Sequence, residues 1–370
     1  MTKAAELAKM GEVLTNSQIG GRRNIVINGA MQVAQRGTSF SLSGTADTFI
    51  TDRFLISNSD TGAWTASQST DSPTGFSNSL KMDCTTADTS PTFLTLMTRF
   101  EGQDLQHLKK GTSSAEKTTL SFFVKSNKTG TYIAELRDID NNRTIGKAYT
   151  ISSADTWEQK IITFDGDTTG AFGNDNGNSL QIIWYLAVGS VYNSGTLATS
   201  WGSRVNANTA VGQVNLADST DNEWYITGIQ LEVGSQATPF EHRSFGEEQR
   251  LCQRYAIVYS KNGQPNMGQK AIGTGASTNN SGAYQAFIFP QVTMRAVPTL
   301  TVGGSVSDYE ILKYETGFVD LNSSISLYSA SGRSLFVLAI SSATAEAERG
   351  RDVIMRLEGD NSSLLFDSEL

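Results

Sequence analysis

His107 and His242 are the only two histidines of the 370-residue chain, so a Ser-His-Asp site would have to use one of them. His107 lies in the polar turn "GQDLQHLKKG" and His242 in a linker-like stretch, contexts that suit structural histidines. Paired carboxylates can hydrolyse glycans, but the acidic residues sit mostly in turn clusters or on polar strand faces. The sequence is therefore read as non-enzymatic. "DIDNNRT" sets Asp138, Asp140 and Asn142 at alternate positions, like the first half of a calcium loop, and "DGDTTGAFGNDNGN" carries Asp165, Asp167 and Asp175. The first lacks the glycine and distal glutamate of an EF-hand. Tight turns are the favoured reading, because Asn and Asp tolerate left-handed backbone; a structural Ca²⁺ is the alternative. "GTGAST" at Gly273 lacks the third glycine and following helix of a dinucleotide site. Cys84 and Cys252 are too few for a disulfide scaffold, and with two histidines they make a zinc site improbable. No cofactor and no metal site are expected, and Cys84 reads as a small buried hydrophobe.

Binding chemistry offers more candidates. Sugar faces stack on exposed aromatic rings, while Asn, Asp and Arg read hydroxyls. In the last third of the chain Tyr309, Tyr314 and Tyr328 are candidate rings, with Asn279, Asn280 and Asn322 as polar partners in turns. Trp64 and Trp157 are earlier candidates. Against each stands the plainer reading of an aromatic packed within a strand.

The elements that must position these residues are strands. From Arg23 to about Phe245, runs such as "SLKMDC", "TLSFFVKS" and "TYIAELRD" alternate apolar and polar residues. "SLQIIWYLAV" is apolar on both faces, as a central strand would be. Gly, Asn, Asp and Ser clusters separate them. The reading is an all-β fold: a jelly-roll β-sandwich over 23–245, then a smaller C-terminal β-sandwich over 256–370. "NIVINGAMQVAQRG" (24–37) is expected to be its first strand, with Gly29 marking a bend or a close backbone approach. A short helix is expected over 246–255, started by a capping box at Ser244 and Glu247, with Leu251 and Tyr255 packing on one face. A short N-terminal helix is expected within 1–22, where Leu7, Met10 and Leu14 take coiled-coil spacing. It is too short to stand alone and needs a partner.

Charge and hydropathy narrow the function classes. A net charge of −8 argues against a nucleic-acid groove, which needs a clustered positive field. No segment approaches the roughly 18 uncharged apolar residues of a membrane span. Lys3, Glu6, Lys9 and Glu12 interrupt any signal-peptide core. No membrane insertion is expected.

"RNIVINGAMQVAQRG", "ITDRF", "LSFFVKS", "WYITGIQLEVGSQATPFEHRSFGEEQRLCQRYA", "VTMRAVPTLTV" and "LLFDSEL" occur in that order along nearly the whole chain. In this the sequence resembles the fibre proteins of tailed bacteriophages, especially those of aquatic and marine bacteria. The resemblance implies a homotrimeric virion protein of the phage tail, made in the host cytoplasm, with a jelly roll like a carbohydrate-binding module. It further implies that residues 1–22 dock to tail or baseplate proteins and that the distal domain binds a host cell-surface glycan or lipopolysaccharide. A polysaccharide depolymerase tailspike and a head fibre or decoration protein are the alternatives.

Overall fold

The computed structural model describes Lys3 and residues 23–260, 270–278, 283–313, 317–328, 332–341 and 352–370. The expected N-terminal helix, with Leu7, Met10 and Leu14, lies outside them. The chain divides into two compact units, Met1–Glu248 with Leu370, and Gln249–Glu369.

The first unit is a jelly-roll β-sandwich. Its strands are β1 (Ser39–Phe49), β2 (Leu55–Ser69), β3 (Ser79–Thr86), β4 (Phe93–Glu101), β5 (Thr118–Ser126), β6 (Gly130–Asp138), β7 (Arg143–Ile151), β8 (Glu158–Phe164), β9 (Asn178–Val188), β10 (Gly202–Ser203) and β11 (Glu223–Val233). They form one antiparallel path, β10-β7-β6-β9-β4-β2-β3-β11-β5-β8, with β1 beside β2. The path folds over at β2: Leu55–Ser59 pairs with β4, whereas Ala63–Ser69 pairs with β3. The break falls at Asp60 and Gly62, both in the left-handed region (φ 47° and 66°). A Cβ on Gly62 would also lie 2.3 Å from the Thr86 carbonyl oxygen. β2 thus carries the chain from one layer to the other.

Between the layers lies the apolar core. Phe122 of β5 meets Trp184 of β9 and Tyr149 of β7 edge-on, with ring centroids 5.8 and 5.1 Å apart. Alternation places Leu180, Ile182, Trp184 and Leu186 of β9 in this core. Ile183 and Tyr185 are buried on the opposite face, so the doubly apolar run is a strand covered on both sides. Cys84 is buried in the core, and burial pushes its thiol up to about 11.

Residues 24–37 do not form a strand. The segment turns at Asn28 and Met31, both at positive φ (60° and 55°). Asn28 holds the turn: its Nδ2 donates to the Val33 and Asp52 carbonyls, and its Oδ1 accepts from the Val33 N–H. The turn shifts the phase of burial from Asn24, Val26 and Asn28 to Met31 and Val33. The period-2 pattern in the sequence is therefore two half-patterns joined by a kink.

A helix occupies Phe245–Gln253, where the Ser244 hydroxyl accepts the Glu247 N–H at 3.3 Å. Leu251 is half-buried within it. Tyr255 is buried but lies beyond the helix end, in a turn closed by its N–H on the Cys252 carbonyl. The two residues are therefore not stacked on one helical face.

The second unit has β12 (Ala256–Ser260), β13 (Lys270–Ser277), β14 (Ala283–Ile288), β15 (Thr299–Gly303), β16 (Tyr309–Lys313), β17 (Gly317–Asp320), β18 (Ser324–Leu327), β19 (Phe336–Ser341), β20 (Asp352–Leu357) and β21 (Ser363–Asp367). They form a three-stranded sheet, β12-β21-β15, and a seven-stranded sheet, β17-β16-β20-β13-β14-β19-β18. Phe336 and Phe366 stack between them at 4.2 Å.

Candidate functional site

The outward face of the layer containing β4, β9 and β6 carries a concave site. In β4, Leu94 and Leu96 enter the core, so Thr95, Met97 and Arg99 project to the other side. Registers extend this into cross-strand rows. Asp47 stands opposite Ser57, Ser57 opposite Thr95, and Thr95 opposite Tyr185. Two rows along the same face, beyond Met97 and Ile183, Arg99 faces Gln181, and Gln181 faces Arg137. A short helix, α1 (Ser190–Asn193), and the chain leading to Arg204 complete the wall. There the Tyr192 ring meets Phe93 edge-on at 5.5 Å. The result is a groove of about 230 Å³.

Its floor rests on Glu135, a fully buried carboxylate. Glu135 accepts hydrogen bonds from the Thr144 and Tyr185 hydroxyls, and Arg204 Nε lies 3.4 Å from its Oε1. Burial, then the Glu135 charge, raises the Tyr185 phenol far above its ordinary value, so it stays a neutral donor. Burial pulls the Arg204 guanidinium down, but Glu135 and Tyr185 more than offset this and hold it above its usual value. Arg137 is different. Burial, and next the neighbouring Arg204 charge, lower its pKa. Its buried Nε finds no protein acceptor among the described residues. The groove can therefore donate hydrogen bonds from several fixed groups and offer an aromatic wall.

No protein-family profile matches the chain, and no curated protein does. Among solved structures, the enzymatically active domain of tailspike protein 4 from bacteriophage CBA120 is similar at 15% identity and a TM-score of 0.32. That match covers 57% of this chain and 22% of the tailspike domain. The family 11 carbohydrate-binding module of a Clostridium thermocellum cellulosomal cellulase is similar at 12% identity and TM-score 0.27, over 58% of this chain and 97% of the module. The CBM22-1 xylan-binding domain from Paenibacillus barcinonensis is similar at 8% identity and TM-score 0.28, over 58% and 96%.

The residues singled out in the sequence lie elsewhere. Tyr309 is fully buried in the second unit's core, and its hydroxyl oxygen lies 2.6 Å from both the Gly303 and the Ser363 carbonyl oxygens, either of which can accept its proton. Its ring has no face to offer a sugar, which corrects the expectation for it. Tyr328 is 43% exposed and Asn322 is exposed. They flank opposite ends of β18, about 20 Å apart at the usual rise per residue, too far to share one sugar ring. Tyr314, Asn279 and Asn280 lie outside the described residues. Trp64 is a core residue, its indole N–H donating to Thr61. Trp157 is half-buried and donates to Asp71 at 3.1 Å.

His107 is exposed on a 3-10 turn, and His242 joins a ring cluster with Phe76 and Phe240. The two acidic runs do converge, but on an ammonium: Lys110 Nζ lies 2.6 Å from Asp138 and 3.1 Å from Asp167. In the second unit Glu310, Asp320 and Glu358 bring carboxylate oxygens within 4.8 Å of one another, and Arg356 donates to Glu310. The groove residues Arg99, Arg137, Gln181, Tyr192 and Arg204 were not among the candidates. For Arg99, Arg137 and Gln181 the one signal was polar side chains on the second face of strands otherwise apolar, as in "FLTLMTRFE" and "YIAELRD".

Proposed function

We propose that this chain is a non-enzymatic fibre protein of a tailed-phage virion, and that the groove of its jelly roll binds a host cell-surface glycan. The observation that carries the reading is the groove itself, where a Tyr192–Phe93 wall faces rows of fixed hydrogen-bonding side chains. Sugars are bound by such a pairing of ring and polar partners. The sequence resemblance to phage fibres supplies the biological setting. In that setting residues 1–22 dock to tail or baseplate proteins, and three copies assemble so that weak sugar contacts gain avidity. Residues 256–370 form the distal domain.

A binder is favoured over a depolymerase by the placement of acids. Asp47 is the only carboxylate lining the groove among the described residues, and Glu135 lies beneath it. The path from β1 to β6 runs through β2, β4 and β9. At about 4.8 Å per strand step that is roughly 19 Å, well beyond the separation of about 5–9.5 Å that glycoside hydrolysis uses.

The test uses the full chain and envelope polysaccharide from a susceptible host, followed by calorimetry and sedimentation. Covering about 50 Å² of ring face at roughly 25 cal/mol per Å² contributes a little over 1 kcal/mol. Tyr192→Ala should then weaken binding about tenfold while leaving the sedimentation of a trimer unchanged. Equal affinity of variant and wild type would remove the groove from the reading. Release of reducing sugar would move it to the depolymerase class, and a monomer would remove the avidity argument.

A further inference from the structure

We infer that the groove selects an acidic glycan, its oxyanion substituent (a carboxylate or a sulfate) held by Arg137. This rests on the glycan-binding reading above and names the chemistry of the ligand. The chain as a whole is acidic, with 37 acidic against 29 basic residues. Yet the groove is lined by Arg99, Arg137 and Arg204 against one acidic side chain, Asp47. Arg204 has its counter-charge in Glu135, 3.4 Å away. Among the described residues no carboxylate forms an ion pair with Arg137, and its buried Nε has no protein acceptor. An unpaired cation half-removed from water is costly to keep, and a guanidinium fork fits the paired oxygens of an oxyanion.

The row around Arg137 sharpens the choice. Arg99, Gln181 and Arg137 stand opposite one another on adjacent strands. Guanidinium groups donate and cannot accept, so the two arginines of this row favour acceptor oxygens, with the Gln181 amide oxygen as the row's single acceptor. The row is well matched to oxygens that only accept. Burial and the Arg204 charge disfavour the bare Arg137 cation more than the Glu135 charge favours it, so an arriving anion relieves a cost present in the free protein.

The experiment follows the Arg137 Nε–H resonance of the full chain by NMR, assigned through its loss in Arg137→Met. D-glucuronate, glucose 6-sulfate and glucose are titrated at matched chloride ionic strength. A shift with glucuronate identifies a carboxylate site and one with glucose 6-sulfate a sulfate site, with glucose producing none. No shift with either charged sugar, or an equal shift with glucose, overturns the inference. The envelope-polysaccharide result for Tyr192→Ala decides the glycan reading separately. Arg137→Met should also melt at the wild-type temperature or higher, because it deletes a half-buried cation that forms no ion pair among the described residues. A drop of several degrees would show that Arg137 is held by a partner within the fold, and that too would overturn the inference.

Discussion

Lys110→Ala is expected to destabilise the first unit by about 3–5 kcal/mol, the usual cost of stripping one partner from a buried ion pair. Lys110 comes from the connection between β4 and β5. Its ammonium is bonded to Asp138 at 2.6 Å, to the Gly170 carbonyl at 2.7 Å and to the Thr169 carbonyl at 3.0 Å. Asp167 lies 3.1 Å away and also takes a two-pronged contact from Arg143 at 2.7 and 3.0 Å. Asp138 is fully buried and Asp167 nearly so. Alanine would leave these two carboxylates facing one another with one cation fewer. All five tryptophans lie between residues 64 and 224, so indole fluorescence during urea unfolding reports this unit alone. The midpoint should fall with the slope unchanged; an unmoved midpoint would refute the account.

The same network sets an acid limit. Burial pushes the Asp167 carboxyl up, but its bonds to Arg143 and Lys110 outweigh this and hold it below the ordinary aspartate value. A group whose pKa is depressed on folding contributes stability above its unfolded value, about 4, and loses it as pH falls through the folded value. The contribution of Asp167 to wild-type stability should thus be full at neutral pH and be lost progressively only below about pH 4.

The fold was largely legible because strand alternation is a local signal. "TLSFFVKS" and "TYIAELRD" place Phe122 and Leu136 in the core where the alternation puts them. The error at 24–37 has the same origin. A period of two cannot reveal a kink that Asn28 holds by bonding Val33 and Asp52, because Asp52 is distant in sequence. The groove was illegible for a related reason. Arg99, Gln181 and Arg137 come from three strands that become neighbours only through the order β4-β9-β6, and each alone reads as an ordinary polar position. Tyr309 misled in the opposite direction: it was a candidate ring for stacking on a sugar, while its ring fills the second unit's core.

Gly29→Ala is the second large effect, expected to cost about 3 kcal/mol or more because the clash is with backbone and no rotamer can relieve it. An added Cβ would lie 2.1 Å from the Ile229 carbonyl oxygen and 3.1 Å from its carbon. The glycine is needed for contact distance and not for a left-handed backbone, since its φ is not positive. Around it the segment is tied to β11: Ile229 N–H donates to the Gly29 carbonyl at 2.9 Å, and Asn24 Nδ2 donates to Ile229 at 3.0 Å. Further along, the Arg23 and Asn24 N–H groups donate to Glu241 at 3.2 and 2.8 Å. In the proposed fibre the docking residues 1–22 lead directly into this latch, so force on the virion attachment passes through it. Asn28→Gly keeps the positive φ accessible but removes three side-chain hydrogen bonds. It should cost roughly 1–3 kcal/mol through the polar groups left unpaired. Limited proteolysis separates the two cases. Gly29→Ala should release cleavage across 23–37 while the sandwich keeps its tryptophan signal, and Asn28→Gly should do so to a lesser degree. If Gly29→Ala protects the segment as well as wild type does, the close approach to β11 is not what holds it.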